Sequence, residues 1–221
     1  INDVSHELKT PLTSLILIGE RLEGVISKKD RYLVKRLKKE SKRLRKMAEE
    51  TLELSKLESS EAFNKNKKIS ISDLVMESWQ TLKPLAEKKD IKINLFIPTK
   101  YYISGDIENL KRAFINILDN SIRYSPITED IQIEIFKRDS SVVIRVRDKG
   151  IGLEENEFND IFSRFYRGDP SRTKFKKSGS GLGLSITKKI INNNKGFIKA
   201  YNHKDGGAVV ETIFPCINKD L

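Results

Sequence analysis

Cysteine and histidine are scarce in this 221-residue chain, and each scarcity narrows its chemistry. A single cysteine, Cys216, cannot build an internal disulfide framework or a cysteine-based zinc site, and it fits a reducing, intracellular setting. The two histidines, His6 and His203, are far apart in sequence and lack metal-ligand spacing. No apolar run approaches the roughly eighteen residues of a membrane-spanning helix. The longest early cluster is only Leu15-Ile16-Leu17-Ile18, and no signal peptide precedes it. The chain opens on Ile rather than Met, with helical patterning from the start, so further sequence is expected upstream. There is no Gly-x-x-x-x-Gly-Lys-Ser/Thr string, which excludes a P-loop, and no Gly-x-Gly-x-x-Gly opens a helix after a strand.

What is present is charge, at 33% of residues, and enough apolar residues, at 38%, for a core. The formal charge of +11 raises nucleic acid as a partner. Much of it is local, because residues 28–46 carry eleven Lys and Arg against Asp30 and Glu40. Few aromatics sit among these charges to stack on bases, so a solvated helix face is the expected role and no nucleic-acid partner is expected.

Residues 1–58 read as two helices. Val4, Leu8, Leu12, Leu15, Leu22 and Ile26 share one helical face, and Leu33, Leu37, Leu44, Met47, Leu54 and Leu57 share another. Pro11 should bend the first helix, and Gly24–Asp30 supplies a turn. Two such stripes are buried well only if two hairpins pair as a four-helix bundle, so a homodimer is expected. Ser59–Lys68 is polar and reads as a linker, with residues 1–60 as the hairpin domain, 61–67 as the link and 68–221 as a second domain.

In that second domain Ser72 is a candidate N-cap for a helix to about Lys89, interrupted late by Pro84. Ile91–Ile97 and Tyr101–Ser104 read as strands, and Asp106–Arg123 as a helix with Leu110, Phe114, Ile117, Leu118 and Ile122 on one side. Ile131–Ile135 and Val142–Val146 alternate about a turn at Asp139-Ser140. Residues 149–180 read mostly as loop, Leu182–Asn194 as helix, and two strands flank Asp205-Gly206-Gly207. The expected fold class is α+β: a helical hairpin followed by an α/β sandwich with helices on one face of a mixed sheet.

Several residues carry candidate chemistry. His6 lies two positions before Leu8, a rotation of about 200° that turns it away from the apolar stripe. Glu7 beside it can accept the Nδ1 proton and leave Nε2 to attack phosphorus, although an ordinary exposed histidine beside an ordinary glutamate has the same local pattern. Thr10, four residues on, shares the face of His6. Asp148 at a strand end can accept a hydrogen bond from an adenine amino group, and Gly150 and Gly152 let backbone approach the base. Gly179, Gly181 and Gly183 leave amides facing phosphate at a helix N-terminus. Asn116 and Asn120, one turn apart, offer an amide oxygen suited to Mg²⁺.

The run Asp3-Val4-Ser5-His6-Glu7-Leu8-Lys9-Thr10-Pro11-Leu12 closely resembles the phosphoacceptor motif of sensor histidine kinases. Asn116-Ile117-Leu118-Asp119-Asn120-Ser121-Ile122-Arg123-Tyr124-Ser125 resembles their asparagine box, and Ile161-Phe162-Ser163-Arg164-Phe165-Tyr166-Arg167 their phenylalanine box. Asp148, Gly150 and Gly152 match the first glycine box, and Gly179, Gly181 and Gly183, followed by Leu184, match the second. The resemblance spans Ile1 to about Pro215, with Asp119 where a second asparagine is common and Ser180 where threonine is.

The resemblance implies His6 as phosphoacceptor, Glu7 as its activating base and Thr10 as the residue positioning water for dephosphorylation of the partner. It implies Asn116 as Mg²⁺ ligand, Asn120, Arg123 and Tyr124 near the nucleotide, Arg167 as a phosphate contact, and residues 153–178 as an ATP lid. It further implies ATP or ADP as ligand and a response-regulator receiver domain as partner. A cytoplasmic fragment without membrane contact of its own follows, from a whole protein anchored in the inner or plasma membrane. Three alternatives keep part of this pattern: an ATPase or serine kinase using the same boxes, a basic dimeric nucleic-acid binder, and a degenerate kinase kept as scaffold or phosphatase.

Overall fold

A computed structural model describes residues 12–22, 30–58, 67–168 and 180–217. Helix α1 (12–22) packs on α2 (Arg31–Glu58), where Gly19 lies against the side chains of Lys38 and Val34. The contact buries Ile16 and Val34 and leaves much of both apolar stripes uncovered within one chain, with Leu33 60%, Leu44 52% and Leu15 40% exposed. Among the described residues no helix is long and apolar enough to cross a membrane.

The remaining elements are β1 (Lys67–Ser70), α3 (Ile71–Glu87), β2 (Ile93–Phe96), β3 (Tyr102–Gly105), α4 (Ile107–Tyr124), β4 (Ile131–Arg138), β5 (Ser141–Arg147), α5 (Glu157–Asp160), α6 (Gly183–Asn193), β6 (Phe197–Asn202) and β7 (Ala208–Pro215). Five strands form one sheet in the order β2-β4-β5-β7-β6. The pair β2–β4 is parallel and the other neighbours are antiparallel, which makes the sheet mixed. Helix α4 packs between α3 and α6. Inward residues of the sheet (Ile131, Ile133, Ile135, Val142, Ile144, Val146, Ile198, Phe214) join Leu74, Phe114, Ile117, Leu118, Ile186 and Ile190 in one core. Each fully buried side chain of this size contributes about 1.5–3 kcal/mol.

Three local expectations need correction. The N-cap of α3 is Ser70, not Ser72: its Oγ accepts from Asp73 N, and Ser72 instead shares a hydroxyl–hydroxyl bond with it. Pro84 stands within α3, which continues to Glu87. Finally, the polar stretch assigned to the linker ends in a strand, because β1 begins at Lys67 and pairs antiparallel with β3. The partner supplies the ladder, so Lys-Lys-Ile-Ser needs little strand pattern of its own.

The second face of the sheet carries a cluster of charged and polar residues. Glu211 on β7 is 1% exposed there, accepting from Arg145 Nε at 2.7 Å and Tyr201 Oη at 3.0 Å, with Lys199 and Arg138 at 3.3 and 3.6 Å. Burial pushes its carboxyl up, but the bonds from Arg145, Tyr201 and Lys199 outweigh burial and hold it below the ordinary range.

The α2 helix also touches the sheet domain. Leu54 and Leu57 enter its core, Asn193 Nδ2 donates to Leu57 O at 2.8 Å, and Arg112 and Arg164 pair with Glu53 and Glu58. Burial pushes the Glu53 carboxyl up, only partly offset by Arg112.

Candidate functional site

Helix α4 presents the asparagines. Asp106 caps it, accepting from Glu108 N and Asn109 N, and Leu110, Ala113, Phe114, Ile117, Leu118, Ser121 and Ile122 form its buried stripe. Asn116 and Asn120 lie beside that stripe, half-buried at the domain surface. Asn116 Nδ2 donates to Gly183 O at 3.2 Å, which joins α4 to the start of α6 and leaves Oδ1 as the acceptor end of the amide. An amide oxygen held in this way suits a hard cation that keeps several phosphate and water ligands.

The second glycine box lies across from it. Gly181 has φ +80°, and its α-carbon passes so close to Phe165 and Tyr166 that an added Cβ would fall 2.8 Å from Phe165 C. Among the described residues no side chain caps α6, so its first amides can face an anion. Leu184 is half-buried and packs against the core. Its side chain serves packing.

Asp148 follows β5 and is 8% exposed. Its Oδ1 accepts from Gly150 N at 2.8 Å and Ala208 N at 3.1 Å, which leaves Oδ2 to receive a donor. Burial pushes its carboxyl above the ordinary range, against the pull of the two amides and of Arg147. An acid whose ionised form is disfavoured by burial until a donor arrives is suited to binding an amino group. Gly150 packs on the carbonyl of Tyr124, where an added Cβ would lie 2.7 Å away, so the first glycine box and the end of the asparagine box touch directly.

The structure thus joins Asn116 to Gly183, Gly181 to the phenylalanine box, and Tyr124 to Gly150 and Asp148. Other candidates have different engagements. Arg123 Nη2 binds Asp119 at 2.7 Å, Tyr124 is 41% exposed, and Arg167 is exposed. Phe162 is a core residue, whereas Phe165 is 52% exposed at φ +60°. His6, Glu7, Thr10 and Gly179 lie outside the described residues.

Supporting residues emerge that sequence patterns do not single out. Asn202 grips the first glycine box, its amide accepting from Leu153 N at 2.8 Å and donating to Leu153 O at 2.7 Å. Lys89 Nζ donates to the carbonyls of Ile122, Arg123 and Ser125 at 2.7, 3.0 and 2.9 Å, closing the end of α4. Glu157 accepts from Tyr166 Oη at 2.7 Å and Glu154 N at 2.8 Å, anchoring the phenylalanine box. The Glu157 bond and burial push the Tyr166 phenol up to about 12, burial being the larger cause. Asn202 and Lys89 act across separations of tens of residues, and only the Glu157 contacts were near enough in sequence to leave a local trace.

Comparison with known proteins gives the family of the chain. Residues 1–60 match the His Kinase A (phospho-acceptor) domain, and residues 105–217 match the family described as Histidine kinase-, DNA gyrase B-, and HSP90-like ATPase. The sensor protein SphS of Synechococcus elongatus is 34% identical over 97% of this chain and 54% of its own length. The chain spans about half the length of the curated relatives it matches. Full-length ShkA, solved in complex with AMPPNP, shares the fold with a TM-score of 0.77 at 21% identity, over 98% of this chain and 45% of that one. ThkA, solved in complex with the response regulator protein TrrA, shares it with a TM-score of 0.69 at 21% identity, over 100% of this chain and 62% of that one. With a phosphoacceptor hairpin and an ATPase domain joined in this order, the chain belongs to the sensor histidine kinase family.

Proposed function

We propose that this chain transfers the γ-phosphoryl group of ATP to Nε2 of its own His6. The bond between the γ-phosphorus and the bridging oxygen breaks, the N–P bond forms, and ADP leaves. Glu7 holds the Nδ1 proton so that Nε2 presents its lone pair. The observation that supports this reading most is the Asn116–Gly183 hydrogen bond, which gathers a cation-binding oxygen and uncapped helix amides into one place.

Within the site, Asp148 would accept from the adenine amino group through Oδ2, and Gly150 would allow the base close to backbone. The amides opening α6 and Arg167 would bind phosphate oxygens, with Asn120, Arg123 and Tyr124 around the nucleotide. Asn116 Oδ1 would hold Mg²⁺, whose contribution when bound is to neutralise phosphate charge. Nucleotide and His6 belong to different domains, so the segment joining them must let the two approach.

The phosphoryl group would then pass to an aspartate of a response-regulator receiver domain, with Thr10 positioning water when the partner is dephosphorylated. The exposed stripe of Leu15, Leu22, Leu33, Leu37 and Leu44 supports a homodimer built as a four-helix bundle. The sensor histidine kinase reading places the whole protein at the inner or plasma membrane, with this part on the cytoplasmic side.

Labelling with γ-labelled ATP and Mg²⁺, followed by mapping of the modified residue, tests the reading. His6→Gln should abolish an acid-labile label while ADP binding stays intact. Labelling of that variant at the wild-type level, or an acid-stable phosphoserine, would overturn it.

A further inference from the structure

We propose that Arg147 is a positioning residue for base recognition: it locks the β6–β7 turn, and that turn sets the carboxylate of Asp148. The proposal rests on the reading of Asp148 as the adenine-contacting acid.

Arg147 is the last residue of β5, and the alternation of a strand sends its side chain to the face opposite its neighbour. There its guanidinium reaches the turn between β6 and β7. Nε donates to Gly206 O at 3.2 Å, and Nη2 donates to Asp205 O at 3.2 Å and Gly206 O at 3.0 Å. Nη1 donates to Gln132 Oε1 at 3.1 Å, which ties the same fork to β4. A planar guanidinium can bridge two carbonyls and a side chain at once, as a lysine ammonium on a flexible stem cannot.

The turn needs such a restraint. Gly206 and Gly207 both have positive φ, +87° and +83°, and a pair of glycines is pliable when unrestrained. The β6–β7 ladder ends at Asn202–Ala208, so everything between those residues lies beyond the sheet's own bonds. Within the turn, His203 N donates to Gly207 O and Gly206 N to His203 O, while His203 Nδ1 accepts from Asp205 N. These bonds shape the turn from within, and Arg147 adds three side-chain bonds to it from β5.

The turn's far side touches Asp148 directly. An added Cβ on Gly207 would fall 1.9 Å from Asp148 O, so the two backbones are in contact. Ala208 follows at once, donating its N–H to Asp148 Oδ1 at 3.1 Å and accepting from Asp148 N at 3.0 Å. One of the two amides that orient the carboxylate is therefore that of Ala208, the first residue of β7, next to the turn that Arg147 binds. The other, Gly150 N, belongs to the glycine box itself. Loosening the turn frees the carboxylate to rotate about the remaining bond, and Oδ2 loses its aim at the base.

The test uses the 221-residue chain and calorimetric titration with ADP and inosine diphosphate, whose base carries a carbonyl in place of the amino group. Asp148→Asn is the reference and should erase the preference for ADP. Arg147→Met should weaken ADP about tenfold, the scale of one charge-assisted hydrogen bond, and leave inosine diphosphate within about twofold. Arg147→Lys should recover part of the preference, since an ammonium still reaches one carbonyl. A wild-type ADP preference in Arg147→Met, or equal weakening of both nucleotides with a parallel loss of thermal stability, would overturn the proposal. If Asp148→Asn itself keeps the preference, the reading of Asp148 fails and the proposal falls with it.

Discussion

Asp148→Asn separates a residue kept for binding from one kept for stability. The substitution removes a charge and preserves shape, and the amide oxygen of Asn can still accept from Gly150 N and Ala208 N, the bonds now made at 2.8 and 3.1 Å. What disappears is the ionised oxygen offered to the base. A hydrogen bond to a charged group contributes about 1.5–3 kcal/mol, so ADP should bind about 10- to 150-fold more weakly. Stability should move the other way. The folded carboxyl titrates above its unfolded value of 3.8 because burial disfavours the charged form. Its stabilising effect is therefore fully present below that unfolded value and is lost as pH rises through the higher folded one. At pH 7 the charge opposes folding, and the nucleotide-free Asn variant should melt no lower than the wild type. Comparing melting curves at pH 4 and pH 7, the wild type should lose stability relative to the variant on going up. Titration calorimetry and scanning calorimetry measure the two effects. A variant that keeps ADP affinity, or one that melts well below the wild type at pH 7, would refute the reasoning.

Asn116→Ala should remove the dependence of ATP affinity on Mg²⁺ while leaving Mg²⁺-free ADP affinity within about threefold, because the lost oxygen serves the cation and the base contacts lie elsewhere; titrations with and without Mg²⁺ read this directly. Lys89→Met leaves three carbonyls at the end of α4 without their ammonium and should cost about 2 kcal/mol. In a chain of this size that corresponds to a melting temperature lower by about 4–8 °C, measured by circular dichroism.

Much of the ATP-binding domain was legible because its signals are local. The stripe from Leu110 to Ile122 repeats at helical period, and the structure buries each of its large side chains. The alternations at Ile131–Ile135 and Val142–Val146 became β4 and β5, with Asp139 turning at φ +54°. The two glycine boxes and the asparagine pair stood out as strings because each does its work with neighbouring residues. By contrast, β1 escaped notice because four residues, two of them lysine, show no alternation, and their strand state comes from pairing with β3. Ser70 took the cap from Ser72 because β1 delivers the chain to α3 two residues earlier than polarity alone suggests.

By itself the sequence determined most of the order of helices and strands and the cast of candidate site residues, because periodicity and turn chemistry act within a few residues. Tertiary structure alone decided which of those residues meet. Asn116 faces Gly183 across 67 positions, Ala208 orients Asp148 across 60, and Asn194 Oδ1 accepts from Asp106 N across 88 to seat the first turn of α4. Such contacts leave no local pattern, because each partner satisfies a backbone or amide group brought to it by the packing of whole elements, and the packing responds to the summed core rather than to any short string.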